Sequence, residues 1–201
     1  MKVFRLFLVP ALWASFAAPA LAEIIPLSQL SGYLNAISTA QGDFTQLNGD
    51  GSISTGTIYI QRPGRARFEY NPPDYALVMA GGGQVAIFDD KSNVGPEQYP
   101  LRRTPLSLIL AADVNLERAN MVVGHREDGA TTIVTAQDPE NPEYGNIQLV
   151  FTGDPVELRQ WIITDDAGGQ TTLILGQLER GVQLSSRLFS IPLEVQSRQR
   201  D

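Results

Sequence analysis

Cysteine is absent from all 201 residues, and histidine occurs once, as His125. A chain without cysteine forms no disulfides, so its stability has to come from a packed core. A metal site would need carboxylates alone, and no ligand spacing typical of zinc or calcium sites occurs. The sequence therefore predicts neither a metal site nor a cofactor.

Catalytic motifs are also missing from the sequence. The segment G-S-I-S-T-G at 51–56 does not match the G-x-S-x-G elbow of hydrolases. The triplet at 81–83, G-G-G, lacks the Lys-Ser/Thr of a phosphate loop. Neighbouring acids such as Asp165 and Asp166 point to opposite faces in a strand. We therefore expect no catalytic residues and no enzymatic activity. The alternative among enzymes is a lipid-modifying enzyme that uses His125.

Basic residues are outnumbered, at 15 against 22 acidic ones, which gives a net charge of −7. Residues 1–22 combine Lys2 and Arg5 with an apolar run and end in A-L-A, the pattern of a cleaved secretory signal. Loss of these two cations leaves residues 23–201 at −9, as one predicted domain. An acidic chain is a poor partner for nucleic acid, and anionic lipid headgroups repel it.

The period of the apolar residues changes at Gly42. Apolar residues at helical spacing predict a helix over 27–37, with Ser28 as its N-cap. After Gly42 the period becomes two, which predicts an antiparallel meander of short strands before a solvated tail at 196–201. The predicted strands are 44–47, 55–61, 65–70, 75–79, 84–89, 98–99, 121–126, 131–136, 146–152, 157–164, 170–177 and 188–191.

One apolar segment interrupts the strands. Thr104 and Pro105 are typical of a helix N-terminus, and the residues up to Ala112 are apolar on nearly all sides. A helix of this kind must be buried on most faces, and the concave side of a single sheet offers that place. Periodicity alone leaves open whether the apolar strand faces form an ordinary core or a ligand cavity.

The order of five motifs resembles the outer-membrane lipoprotein carrier (LolA) family. The motifs are Gly42-x-Phe44-x-Gln46, the hairpin from Gly56 to Tyr70 with its Arg62-Pro63 step, the segment from Gly81 to Phe88, the Thr104-Pro105 helix, and Leu188-Phe189-Ser190-Ile191-Pro192. Each motif is weak alone, but their shared order spans most of the mature chain. Ala66 and Ala80 depart from the pattern, which tends to have a large apolar residue and an Asp at these places.

The resemblance implies a mainly β fold with an α lid, namely an incomplete antiparallel β-barrel covered by short helices that enclose a hydrophobic cavity. It implies that Arg62 holds the lid closed through hydrogen bonds to lid carbonyl groups. Arg65 and Arg67 are expected to point outward or to the rim. The expected acyl-chain cavity residues are Ile58, Ile60, Phe68, Ile87, Leu149, Trp161, Ile163 and Leu173. The expected lid-helix residues are Leu106, Leu108, Ile109 and Leu110.

The function implied by the resemblance is transport without catalysis. The chain is expected to be a monomeric periplasmic carrier that binds the acyl chains of lipoproteins released by an inner-membrane ABC transporter. It would pass them to an outer-membrane receptor or to the outer membrane itself. Two alternatives use the same half-barrel: a carrier for another lipid, and an envelope-stress sensor domain.

Overall fold

The alternating segments form one antiparallel sheet. The computed structural model describes residues 23–89, 95–117 and 120–199, and within these the sheet has twelve strands. The predicted signal at 1–22 lies outside the described residues. The strands are β1 (Thr39–Leu47), β2 (Ile53–Gln61), β3 (Arg65–Tyr70), β4 (Leu77–Gly81), β5 (Gln84–Phe88), β6 (Glu97–Pro100), β7 (Val122–Asp128), β8 (Thr131–Gln137), β9 (Asn146–Thr152), β10 (Glu157–Thr164), β11 (Gln170–Leu175) and β12 (Glu179–Arg180).

The strand order is β6-β5-β4-β3-β2-β1-β11-β10-β9-β8-β7, with β12 paired to β1. The outermost strands β6 and β7 do not pair with each other in the described ranges, so the sheet is not closed. Phe68 of β3 and Trp161 of β10 lie far apart in this order, yet their ring centroids are 6.3 Å apart. The sheet therefore curls, and these rings lie on its concave face. The predicted incomplete antiparallel barrel is confirmed.

The hairpin of β2 and β3 has the register that the alternation predicts. Ile58 pairs with Phe68 and Ile60 with Ala66, all four buried on the concave face. The intervening positions, such as Arg67, face the convex side. The predicted bounds of β3 are confirmed, and the Arg62-Pro63 step lies in the turn between the strands.

Helix α1 (Leu27–Ala36) confirms the predicted first helix but not its cap. Ser28 is not the N-cap. That position is Pro26, whose carbonyl oxygen accepts hydrogen bonds from the backbone N–H groups of Gln29 and Leu30 at 3.0 and 3.1 Å. Proline has no side-chain acceptor, so the first turn begins on the backbone alone. The helix buries Leu30 and other residues of its inner face against the sheet.

Helix α2 (Leu106–Ile109) is shorter than the predicted apolar helix. Thr104 does not cap it, because its hydroxyl donates backwards to the Leu101 carbonyl oxygen at 2.8 Å. At the other end, the Leu110 carbonyl oxygen accepts a hydrogen bond from the Gly64 N–H at 2.8 Å. The hairpin between β2 and β3 thus satisfies a carbonyl group at the end of the helix, where no intrahelical donor is available.

The predicted strand at 188–191 is wrong. The predicted tail at 196–201 is exposed over residues 196–199 as expected, but it is helical as far as Arg198, and residues 200–201 lie outside the described ranges. The chain instead forms a 3-10 turn, Ser186–Phe189, followed by helix α3 (Ile191–Arg198). Pro192 lies in the first turn of α3, where proline favours a helix. Ile191 and Val195, one turn apart, pack on a convex-face cluster formed by Leu77, Met79, Ala86 and Phe88.

An ionic network fastens α3 to the convex face. Arg67 lies 2.6 Å from the Glu69 carboxylate and 3.0 Å from that of Glu194, and its side chain is only 13% exposed. Arg198 bonds to Glu194 at 3.0 Å and lies over the Phe88 ring at 4.8 Å. Arg67 thus faces outward as predicted, but α3 covers it.

Replacing Glu194 by glutamine is expected to reduce the loss of stability at acid pH. Burial alone raises the pKa of Glu194, but hydrogen bonds from Arg198 and Arg67 outweigh it and lower this pKa below its ordinary value of 4.5. A lowered pKa stabilises the folded state above pH 4.5, and this contribution is lost as the pH falls through the folded-state pKa. Thermal unfolding of both proteins at neutral pH and below pH 4 measures it.

We expect the substitution to lower the melting temperature by about 2–4 °C at neutral pH, in line with roughly 1 kcal/mol. The difference between the two proteins should shrink in acid. Glu157→Gln, which disrupts an ion pair with Arg159 whose side chain is 49% exposed, is the matched control and should change little. An equal difference at both pH values would contradict the role of Glu194.

Candidate functional site

Most of the buried residues on the concave face of the sheet are apolar. Six of the eight predicted cavity residues are buried together in one cluster: Ile58, Ile60, Phe68, Leu149, Trp161 and Leu173. Ile163 is half-buried against the same cluster. Ile87 differs: its partner Val78 packs on the cluster, but Ile87 itself is 38% exposed. It belongs to the margin near edge strand β6 and not to the enclosed interior.

Aromatic rings line the interior in edge-to-face contact. Tyr70 and Phe44 have centroids 5.1 Å apart, and Phe44 and Phe68 are 6.0 Å apart. Phe68 in turn contacts Trp161 across the curl of the sheet. Offset and edge-to-face ring pairs add to the free energy gained by burial. The rings therefore connect the two halves of the sheet through the interior.

Two helices close the interior from the open side. Leu30 and Leu34 of α1 and Leu106 and Ile109 of α2 are buried in the concave-face cluster. Leu110 is buried there too, and Leu108 packs against it while half-buried. We call α1, α2 and residues 110–116 the lid. All four residues predicted for the lid helix therefore contact the interior.

The interior is filled by the protein's own side chains. A cavity of about 20 Å³, room for about one water molecule, lies beneath the lid. Its walls are Leu34, Ile37, Ile60, Arg62, Ile109, Leu110, Leu158, Trp161 and Leu178. A larger depression of about 400 Å³ opens at the surface beside residues 23–26, and no predicted site residue lines it. The chain is thus in a closed state.

Arg62 connects the sheet to both parts of the lid. It follows the last residue of β2, and its guanidinium donates to the Leu34 carbonyl oxygen in the last turn of α1. Nη2 and Nε donate to the Ala111 carbonyl oxygen at 2.6 and 3.1 Å. Nη2 also donates to Asn35 Oδ1 at 3.1 Å. A planar fork of donors suits such carbonyl groups, and the C-terminus of a helix favours a cation. We call these contacts the Arg62 latch.

The Arg62 guanidinium keeps its positive charge although the side chain is half-buried. Burial lowers the pKa of Arg62 below its usual range, and the nearby Asp113 carboxylate opposes that shift. A guanidinium nevertheless stays protonated in proteins, so it cannot accept a proton or leave one behind. The contacts of Arg62 are therefore those of a charged group and do not depend on its titration.

Asn35 completes the latch and was missed by the sequence analysis. Its Oδ1 accepts from Arg62 and from the Val114 N–H at 2.9 Å, while its Nδ2 donates to the Val114 carbonyl oxygen at 2.8 Å. One amide thus holds α1 to the segment after α2. An asparagine beside a buried leucine on a helix is ordinary in sequence, so only the folded contact identifies it.

His125 contacts the segment that precedes α1. His125 Nε2 lies 3.0 Å from the Ile25 carbonyl oxygen, and the Ile25 N–H donates to the buried Thr132 hydroxyl at 3.0 Å. His125 therefore holds the segment before α1 against β7 and β8. Among the described residues, no group of three His, Asp or Glu could hold a metal ion. In the same ranges, no helix has the length and apolar character needed to span a membrane.

A curled open sheet whose apolar interior is covered by helices that Arg62 ties to the sheet defines a half-barrel protein with a covered hydrophobic interior. The family model described as "Outer membrane lipoprotein carrier protein LolA" matches residues 35–192. The chain belongs to the outer-membrane lipoprotein carrier (LolA) family.

Individual relatives carry the same name. The chain is 30% identical to the outer-membrane lipoprotein carrier protein of Methylococcus capsulatus, over 94% of this chain and 93% of that protein. It is 28% identical to the carrier protein of Azotobacter vinelandii, over 87% and 86%. A solved LolA superfamily protein from Nitrosomonas europaea has a TM-score of 0.45 at 10% identity, over 83% of this chain and 98% of that one.

Proposed function

We propose that the chain is a periplasmic carrier for lipoproteins, which binds their acyl chains in the concave interior. It takes lipoproteins released from the inner membrane by an ABC transporter and delivers them to an outer-membrane receptor or to the membrane itself. The observation that carries this proposal is the Arg62 latch, because it ties both parts of the lid over a largely apolar interior. Membership of the carrier family supports the same function.

The energetics of acyl binding call for a closed state that competes with cargo. Burying a methylene group is worth about 0.8 kcal/mol, so a sixteen-carbon chain offers on the order of 12 kcal/mol. A carrier that gained all of this could not release its cargo. When the interior is empty, its own side chains fill it, as the residual cavity of about 20 Å³ indicates. Opening costs those contacts, and that cost offsets part of the binding free energy.

The opening motion follows from the contacts that hold the lid. Acyl chains enter when Ile109 and Leu110 leave the cluster over the sheet, which breaks the Arg62 latch and the hydrogen bond from Gly64 to Leu110. The freed carbonyl groups at Leu34 and Ala111 then face water. Cargo and latch therefore exclude each other, and closing of the latch favours release.

The charge of the exported chain supports a carrier that stays in solution. Without Lys2 and Arg5 the net charge is −9, which disfavours adhesion to anionic membrane surfaces. Transfer then depends on specific partner proteins. The mature chain is proposed to act as a monomer, because one apolar interior and one lid make a complete site.

Mass spectrometry of the protein purified gently from the periplasm of a Gram-negative host tests the function. We expect triacylated lipoproteins to co-purify. Arg62→Leu should retain more cargo than the wild type, and Arg65→Leu should match the wild type. Bound phospholipid or fatty acid alone would support a carrier of another lipid instead. A partner protein without acyl groups would support a sensor domain.

A further inference from the structure

A chain of hydrogen bonds crosses β1, β2 and β3 at the end of the concave face opposite to Arg62. The Tyr70 hydroxyl donates to Gln46 Oε1 at 2.6 Å. Gln46 Nε2 donates to Asn48 Oδ1 at 2.6 Å, and Asn48 Nδ2 donates to the Ser54 hydroxyl at 3.0 Å. We call these four residues the polar floor.

The polar floor terminates the apolar interior. Ser54 is 8% exposed and lies on the same face of β2 as Ile58 and Ile60. Gln46 pairs with Ser54 on one side and with Leu173 of the interior on the other. The Tyr70 ring contacts Phe44, and burial raises the pKa of Tyr70 to about 12, which keeps its hydroxyl protonated as a donor. Beyond the ring the concave face presents polar atoms that already bond to one another.

We propose that the polar floor sets the length of acyl chain that the interior accepts. This inference rests on the proposed carrier function and names a specificity determinant within the same site. Each methylene group placed above the floor raises affinity about fourfold. A methylene group beyond it must displace the Tyr70 ring and break hydrogen bonds, and a half-buried polar group left unpaired is unfavourable. Affinity therefore rises with chain length and stops rising at the floor.

The dimensions agree with a limit near common acyl lengths. Seven residue steps separate Gln61, beside Arg62, from Ser54 in β2. At a rise of about 3.3 Å per residue this distance is roughly 23 Å. An extended sixteen-carbon chain is roughly 19 Å long, given C–C bonds of about 1.5 Å. The floor thus lies just beyond the end of such a chain.

Binding of synthetic triacylated lipopeptides to the mature chain, followed by Trp161 emission, tests the inference. The ligands differ only in acyl length, from twelve to twenty carbons. For the wild type we expect affinity to rise up to about sixteen carbons and then to level off. Tyr70→Leu keeps an apolar side chain next to Phe44 but removes the aromatic ring and its hydroxyl group. It should extend the rise by two or more carbons, which corresponds to a gain in affinity of about fifteenfold or more for the longer ligands.

Matched variants separate the possible outcomes. Tyr59→Leu changes a tyrosine on the convex face of β2, opposite Arg67, and should keep the wild-type limit. If Tyr70→Leu fails to fold, Gln46→Leu removes the network while keeping the ring, and it too should shift the limit. An unshifted limit in a folded floor variant, or a wild type without any limit, overturns the inference alone. A wild type that binds no lipopeptide of any length overturns the proposed function with it.

Discussion

We expect the replacement of Arg62 by leucine to slow release of bound acyl chains about tenfold and to leave the fold intact. The substitution removes hydrogen bonds to Leu34, Ala111 and Asn35, which hold the lid closed when the interior is empty. Charged hydrogen bonds contribute about 1.5–3 kcal/mol each when buried, and less at a half-exposed site such as this one. A net loss of about 1.4 kcal/mol from the closed state corresponds to a factor of ten.

Stopped-flow displacement of a labelled lipopeptide measures the release rate. Arg65→Leu is the matched control, since Arg65 faces the convex side and donates one hydrogen bond, to Gln61, at 3.3 Å. We expect it to release cargo at the wild-type rate. In cells, Arg62→Leu should fail to support lipoprotein transport when the wild type is depleted. Full complementation together with an unchanged release rate would show that the Arg62 latch does not control cargo.

Replacing Gly56 by alanine is expected to destabilise the folded state strongly. An ideal Cβ at this position would lie 2.1 Å from the Glu69 carbonyl oxygen and 2.7 Å from the Phe44 ring. The carbonyl group belongs to β3, which pairs with β2, so it cannot move without disturbing the hairpin. We expect a cost of about 3–5 kcal/mol, and therefore a melting temperature lower by about 10 °C.

Gly32→Ala is the control of opposite sign. Gly32 lies in α1, and a Cβ there would have no atom within 4 Å. Alanine favours a helix over glycine by about 0.8–1 kcal/mol, so this variant should melt about 2–4 °C higher. Thermal unfolding followed by circular dichroism measures both. If Gly56→Ala has the same melting temperature as the wild type, Phe44 does not pack closely over β2 as described.

The sheet could be predicted because its signal is local. The predicted bounds of β3, β9 and β10 are the observed ones, although only β3 alternates throughout and β10 has a register shift between Leu158 and Gln160. The strand predicted from residue 75 begins later, at Leu77, because Tyr75 has a positive φ of 50° after the Pro72-Pro73 turn. Two-residue β12 was missed, since it exists only through pairing with β1.

The helical parts could be predicted less well because distant contacts fix them. Helix α2 ends at the point where the Gly64 N–H donates a hydrogen bond to the Leu110 carbonyl oxygen. The spacing of apolar residues in the sequence does not predict that bond. The C-terminal motif was assigned to a strand, yet Gly81 shows why it crosses the sheet instead. A Cβ at Gly81 would lie 2.1 Å from the Phe189 carbonyl oxygen, so the segment passes directly over this glycine.

The candidate site likewise contains residues that could be predicted from the sequence and residues that only the fold identifies. Arg62 was predicted from the family resemblance, while its acceptors Leu34, Asn35 and Ala111 required the fold. Ile87 shows the limit of alternation, which gives the face of a strand but not its distance from the sheet margin. Ile87 occupies the expected face but remains exposed beside β6.

Trp161 emission during titration with a triacylated lipopeptide, kept below its micelle concentration, tests the central claim most directly. Trp161 is 3% exposed beneath the lid and is the sole tryptophan of residues 23–201. Acyl chains that enter the interior must replace its present neighbours, so we predict a saturable change in emission in the wild type and in Arg62→Leu. A folded protein that binds the lipopeptide without any change in Trp161 emission would contradict a cargo site in the concave interior.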